Sequence, residues 1–282
     1  MFNRLLGILF ALAMLLANVA IFTRDVLPRW RPGNPPPSDA QLLRPGETRL
    51  AQVGIYDNAG HLIGRSWTRS QRKAACELIS VATTTVLHPI SLPGGLLTPR
   101  VRVETQCLYR QNEGHVDEVE FRMFGVGMAV YLRGEAMSTG EFSCSWQVGD
   151  RRGSLLLDAG APQALGDVIR PFDRLPDLRV GQTWQLRLLN PLARMLPQLN
   201  QTGIDLEPVI IRVVERRTID HAGQNVDVFV VDGGHAVAYV AEDGRVLRQE
   251  VDLPLVGRLV LLDEPCDEQS WEQARRAIPV DW

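Results

Sequence analysis

The side chains that most often carry chemistry are present, but not in patterns that do it. The five histidines are His61, His88, His115, His221 and His235, and none belongs to a His-Glu-x-x-His run. No Cys-x-x-Cys pair occurs either, so neither common zinc signature is available. His61, His115 and His221 fall where turns or strand starts are expected, which makes solvated loop histidines of them. No Gly-x-Ser-x-Gly elbow exposes a serine nucleophile. Gly125-Val126-Gly127 begins like a dinucleotide fingerprint, but Val130 holds the third glycine position. The run also lies inside an alternating β pattern, not at a strand-to-helix turn. Asp117, Glu118 and Glu120 cluster, yet Glu118 and Glu120 share the face opposite Val119, Phe121 and Met123. They read as a solvated sheet face, whereas carboxylate hydrolysis needs an acid and a base flanking a cleft. Lys73 is the only lysine, so lysine chemistry is confined to that position. No catalytic set, no metal ligands and no cofactor are expected.

The four cysteines, Cys76, Cys107, Cys144 and Cys266, allow three full pairings. If residues 76–87 and 100–109 form a hairpin closed around 91–95, Cys76 falls nearly opposite Cys107, and this is the candidate disulfide. The competing reading is that Cys107 and Cys144, both on apolar faces, pack as free thiols.

The elements that position these residues are strands. Val101, Val103, Thr105, Cys107 and Tyr109 alternate with Arg102, Glu104 and Gln106. Phe142, Cys144, Trp146 and Val148 repeat the pattern, as do Trp184 with Leu186, and Val209, Ile211 and Val213 against Arg212 and Arg216. Period-two alternation with one polar face is the mark of antiparallel strands. Turn chemistry separates the runs at Asp57-Asn58-Ala59-Gly60, Gln111-Asn112-Glu113-Gly114, Gly149-Asp150 and Glu242-Asp243-Gly244. About eleven strands in a meander are expected, with helices at about residues 163–173 and 267–277 and an ambiguous stretch at about 191–199. Phe121, Phe142, Trp146, Trp184 and Ile211 form the expected apolar face, a candidate ligand or partner face. Bare apolar area costs about 25 cal/mol per Å², so something must cover it. The two expected helices, a bound lipid and a partner protein are the choices.

The chain divides into three parts. Residues 5–22 are apolar apart from Gly7 and Asn18. A helix of that length rises about 27 Å, close to the thickness of a bilayer core. Residues 1–23 are therefore expected to be an uncleaved membrane anchor; a cleaved signal peptide competes, although Asn18 spoils the site that would end at Ala20. Arg24, Arg29 and Arg31 follow the run and, counted literally, hold the body in the cytoplasm. The very short tail, Asp25 and the signal-like character of the run favour a body on the outer side of the cytoplasmic membrane, periplasmic or extracytoplasmic. Residues 24–46 form a spacer, with six prolines between positions 28 and 45. In polyproline II that stretch spans up to about 55 Å. Residues 47–282 read as one β-rich domain. The formal net charge of -3 argues against nucleic acid as a partner.

Three segments carry a resemblance. Residues 53–66 read VGIYDNAGHLIGRS, residues 178–184 read LRVGQTW, and residues 238–248 read AYVAEDGRVLR. In order and spacing they are similar to the opening hairpin, a step into a strand and the closing hairpin of the β-rich, non-catalytic domain that precedes the catalytic domain in some bacterial membrane-anchored transglutaminase-like proteins. The catalytic part has no counterpart here. The resemblance implies a mainly β protein with a large curved antiparallel meander sheet, like the half-barrel of lipoprotein carriers. It also implies an accessory or interaction module, or alternatively a carrier or sensor holding a lipid or acyl chain in the concave face.

Overall fold

The structure is a computed structural model that describes residues 12–19, 21–22, 33–37, 42–74, 78–89, 100–110, 116–125, 128–138, 141–158, 172–186, 209–253 and 257–276. Fourteen antiparallel strands build one open sheet. The first eight are β1 (Thr48–Tyr56), β2 (Leu62–Arg72), β3 (Leu78–Leu87), β4 (Val101–Arg110), β5 (Val116–Gly125), β6 (Met128–Ala136), β7 (Glu141–Val148) and β8 (Arg151–Asp158). The others are β9 (Thr183–Leu186), β10 (Val209–His221), β11 (Gln224–Asp232), β12 (Ala236–Ala241), β13 (Val246–Leu253) and β14 (Gly257–Glu264). The order across the sheet is β8-β7-β6-β5-β4-β3-β2-β1-β14-β13-β12-β11-β10-β9. Two meanders are thus joined along a β1–β14 seam, and the chain passes from one outer strand, β8, to the other, β9, between them.

The expected mainly β class and meander are observed, with fourteen strands in place of about eleven. The expected turns close hairpins as their residues dictate. Asp57 Oδ1 accepts from the backbone N–H groups of Ala59 and His61 at 2.9 and 2.8 Å. At the β12–β13 turn Gly244 has φ +84°, and a Cβ there would meet Pro176 Cα at 2.8 Å. Glycine is needed both for the left-handed turn and for the close passage of the chain beside it.

Register fixes the faces. Val53, Ser66, Thr85, Val103, Met123, Val130 and Val148 are successive cross-strand partners from β1 to β7. On the other side of the seam the same face continues through Ile55, Leu261, Gln249, Ala238, Val231 and Val213. This apolar face carries two large buried clusters. One includes Val119, Val130, Leu132, Phe142 and Cys144; the other includes Ile55, Trp184, Ile211, Val213, Val231 and Leu261. Each fully buried aliphatic or aromatic side chain contributes about 1.5–3 kcal/mol. Between the clusters lies a hydroxyl belt. Ser66, Thr68, Ser70 and Thr85 are buried, with Ser66–Thr85 and Thr68–Thr83 bonds of 2.8 and 3.3 Å across β2 and β3. A third, smaller cluster, Val228, Val230, Tyr239, Ala241 and Leu247, makes the opposite face apolar in β11–β13 as well.

One cover of the apolar face is the irregular segment 172–180. Phe172 and Leu178 are buried in the second large cluster and Leu175 packs on it. Gln249, a buried polar residue on this face, holds the segment in place: its Oε1 accepts from the Phe172 N–H at 3.3 Å and its Nε2 donates to the Phe172 carbonyl at 2.7 Å. Phe172 and Asp173, the end of the expected helix at 163–173, are not helical; the rest of that helix and the stretch 191–199 lie outside the described residues. The expected helix at 267–277 is present as α1 (Glu268–Arg276), capped by Asp267, whose Oδ1 accepts from the Ser270 N–H at 2.7 Å. It does not cover the apolar face. It lies on the opposite one, because its sequence EQSWEQARR offers no apolar stripe and only Trp271 to bury.

A β-bulge corrects one face assignment. The β10–β11 register shifts between Val213 and Glu215, so Arg216 pairs with Phe229 on the apolar face, with its guanidinium 5.6 Å from the ring centroid. Residues 12–19 are helical with exposed side chains, and among the described residues no helix is long and apolar enough to cross a membrane. Apart from residues 21–22, the remainder of the expected anchor at 1–23 lies outside the described residues, as does most of the spacer at 24–46.

Candidate functional site

The five residues of the expected ligand or partner face all point to the apolar face, but they do not form one site. Trp184 and Ile211 are direct cross-strand partners on β9 and β10. Phe121 and Trp146 both flank Leu132, and Phe142 lies beside them on β7. These groups stand near opposite edges of the strand order. Phe142, Trp184 and Ile211 are 1, 3 and 1% exposed, while Phe121 and Trp146 are partly buried against the first cluster. They serve as packing.

The cysteines also pack. Cys107 is a free, buried thiol whose partner across β3–β4 is Val81. Its expected disulfide partner, Cys76, lies outside the described residues. Burial pushes the Cys107 and Cys144 thiols up to about 11. Neither is a thiolate near neutral pH, and the thiolate is the nucleophile. Ser70 and Lys73 stand at Ser-x-x-Lys spacing, a pattern absent from the expectations above. Ser70 is buried in β2 on the apolar face and Lys73 is exposed beyond the strand end, so the two do not form a nucleophile–base pair.

The opposite face presents more chemistry. Along the seam, Glu264 of β14 is held by two strands, β1 and β2: Oε2 accepts from Gln52 Nε2 at 2.6 Å and Arg65 Nε at 3.0 Å, and Oε1 accepts from the Tyr56 hydroxyl at 3.1 Å. Trp67 Nε1 in turn donates to Gln52 Oε1 at 2.8 Å. Burial alone raises the Glu264 carboxyl, but the bonds from Gln52 and Arg65 and the Arg65 charge outweigh it and hold the group below its usual range. Gly54 makes room for this carboxylate, since a Cβ there would collide with Glu264 Oε1 and meet Tyr56 Cε2 at 2.8 Å.

Beside the seam, α1 roofs a cavity of ≈ 460 Å³ over β2–β5. Its walls include Arg69, Gln71, Thr84, Arg102, Glu104, Gln106, Glu120 and Arg122 from the sheet and Trp271 from the helix. Register explains the convergence: Thr84 faces Glu104 across β3–β4, Glu104 faces Arg122 across β4–β5, and Gln106 faces Glu120. An Arg69–Glu268 ion pair of 3.0 Å ties the helix to β2. The acids are engaged. Arg102 donates to Glu104, and Glu120 accepts from the Tyr131 hydroxyl and from Arg122 Nε, the latter at 3.0 Å. The Tyr131 bond, followed by that of Arg122, holds the Glu120 carboxyl below its usual range. Several nitrogens are left over. Arg69 Nε, Arg102 Nε and Nη1, and Trp271 Nε1 are buried without a hydrogen-bond partner. Trp271 is only 4% exposed and belongs to none of the buried apolar clusters.

The alternation did place Arg102, Glu104, Gln106 and Glu120 on one face, but as a solvated surface. Arg69 and Trp271 carried no local signal, since only the docking of α1 encloses them. A smaller cavity of ≈ 220 Å³ touches Ala51, Thr68 and Ser70 on the apolar face, together with Asp173 and Arg174. Fold and site together define an all-antiparallel open-sheet protein with a helix-roofed polar cavity. No protein family matches the chain, and no curated protein or solved structure does so either.

Proposed function

We propose that this protein is a membrane-tethered, non-catalytic binding module, positioned on the outer side of a bacterial cytoplasmic membrane, whose binding face is the polar one beneath α1. The observation that carries this reading is the division of labour between the two faces. Phe142, Trp184 and Ile211 are consumed by packing on the apolar face, whereas the ≈ 460 Å³ cavity opens on the opposite face among arginines, glutamines and a buried indole. A pocket with convergent polar groups is the default binding site of an uncharacterised fold. The non-catalytic part is supported by the state of the candidate nucleophiles: protonated Cys107 and Cys144, and a hydrogen-bonded or buried Ser66 and Ser70. The tether is supported by the apolar run at 5–22 and by Leu12, Leu15 and Leu16, which expose more than half of their surface on a helical stretch. Such side chains are costly in water and at home in lipid. The hairpins similar to the non-catalytic domain of transglutaminase-like proteins favour an accessory role, and the half-barrel curvature they imply belongs to the same proposal.

The test is extraction and mass spectrometry of the full chain. Resistance to an alkaline wash, with no stoichiometric lipid co-purifying and no change in melting temperature on adding palmitate, is the expected result. A soluble form beginning near Ile21 would remove the tether. A tightly held acyl chain whose removal lowers the melting temperature would replace the module by a lipid carrier.

A further inference from the structure

We propose that the cavity beneath α1 is a binding site for a small molecule bearing a carboxylate or phosphate group, an assignment that rests on the reading of the polar face as the binding face. The orphaned polar atoms of the wall are of one kind. All four orphaned atoms on the cavity wall, Arg69 Nε, Arg102 Nε and Nη1, and Trp271 Nε1, are N–H donors. The two acids of the wall, Glu104 and Glu120, already accept from Arg102 and Arg122. Leaving a buried donor unmet is costly, and more so for a charged one. An apolar occupant leaves all four unmet. A cation competes with Arg102 and Arg122 for the carboxylates of Glu104 and Glu120 and meets none of the orphaned donors. Water accepts such bonds too, and can pass its hydrogens to the second oxygens of Glu104 and Glu120, but it offers the guanidinium groups no charge. An oxyanion supplies acceptors without demanding any, and arginine and indole N–H groups bind it by charge-assisted bonds. The size adds a second condition. A volume of ≈ 460 Å³ lies in the range of organic ligand pockets and exceeds what a lone inorganic ion fills.

The experiment is calorimetric titration of the full chain in detergent with succinate, glycerol 3-phosphate and inorganic phosphate, at ionic strength matched with sodium chloride. Two variants accompany it. Trp271→Phe keeps an aromatic ring under α1 but removes the N–H together with part of the indole's volume. Arg102→Gln removes the charge and two of the orphaned donors. Saturable binding of succinate or glycerol 3-phosphate is expected, weakened about tenfold in Trp271→Phe, the worth of one hydrogen bond to a charged group, and lost in Arg102→Gln. In the ligand-free protein Trp271→Phe should melt somewhat lower than wild type, because part of a buried ring is lost, so the affinity and not the melting point decides the role of the N–H. A merely structural tryptophan gives the lower melting point with unchanged affinity. Absence of saturable binding by all three probes, or equal affinity in wild type and both variants, overturns the proposal. Lipid found in the same sample would sink the binding-face reading itself, whereas a lipid-free protein that ignores all three oxyanions sinks the ligand class alone.

Discussion

Replacing Gln249 with Leu tests how the apolar face is closed. Gln249 is 2% exposed in β13 and makes both of its bonds to the backbone of one residue, Phe172, at 3.3 and 2.7 Å. Leucine has nearly the same volume but neither donor nor acceptor, so the Phe172 N–H and carbonyl both lose a partner in a buried place. Each orphaned group costs about 1–3 kcal/mol, and leucine's extra apolar burial returns about 1–2 kcal/mol. The net loss centres on about 2–3 kcal/mol. Urea denaturation at neutral pH reads it as a lower midpoint at an unchanged slope. Because the clamp holds one segment, hydrogen exchange should accelerate first at residues 172–180 and at the β12–β13 turn, where the Leu175 N–H donates to the Gly244 carbonyl at 2.9 Å. The strands around Leu132 should keep their protection. A loss below about 1 kcal/mol, or exchange that rises equally throughout the sheet, would show that the segment is held by side-chain packing and not by this clamp.

Trp184→Ala should cost about 3–5 kcal/mol, the usual penalty for emptying a buried large aromatic site; a loss under about 1 kcal/mol in the same urea assay contradicts its place in the core. Glu264 has a depressed carboxyl in the folded protein. Its stabilisation is therefore complete above the unfolded value of about 4.3 and disappears as pH falls through the folded value. The melting-temperature gap between wild type and Glu264→Gln should shrink on going from about pH 6 to about pH 3, and a constant gap refutes the seam network. Cys107 and Cys144, with thiols pushed up to about 11, should resist iodoacetamide at about pH 8 until the protein unfolds. Labelling of either thiol in the native protein at the rate of a free cysteine contradicts their burial.

The faces were legible wherever the strand was regular. Val103, Cys107 and Tyr109 against Arg102, Glu104 and Gln106 followed from alternation alone, because successive side chains of a strand must point to opposite sides. The rule fails at a bulge, and the one after Val213 put Arg216 on the apolar face with no mark in the residues themselves. The hairpin register was nearly but not fully legible. The expected register set Cys76 nearly opposite Cys107, whereas Val81 faces Cys107 in the described strands, since the loop between β3 and β4 sets the register; Cys76 itself lies outside the described residues.

Local chemistry in the sequence determined the class, the turns, the capped helix after Asp267 and the apolar side of most strands, because each of these is decided within a few residues. The order of the strands was decided by tertiary structure. Nothing local tells β14 to lie beside β1, or sends the chain from β8 to β9 at the far edge; that requires apolar surfaces distant in sequence to meet. The side on which α1 docks is the same kind of fact. The helix at about 267–277 was expected from the sequence, but the partner of a single buried tryptophan is chosen by the whole sheet. The choice fell on the polar face, and a row of alternating charged residues became the wall of a cavity.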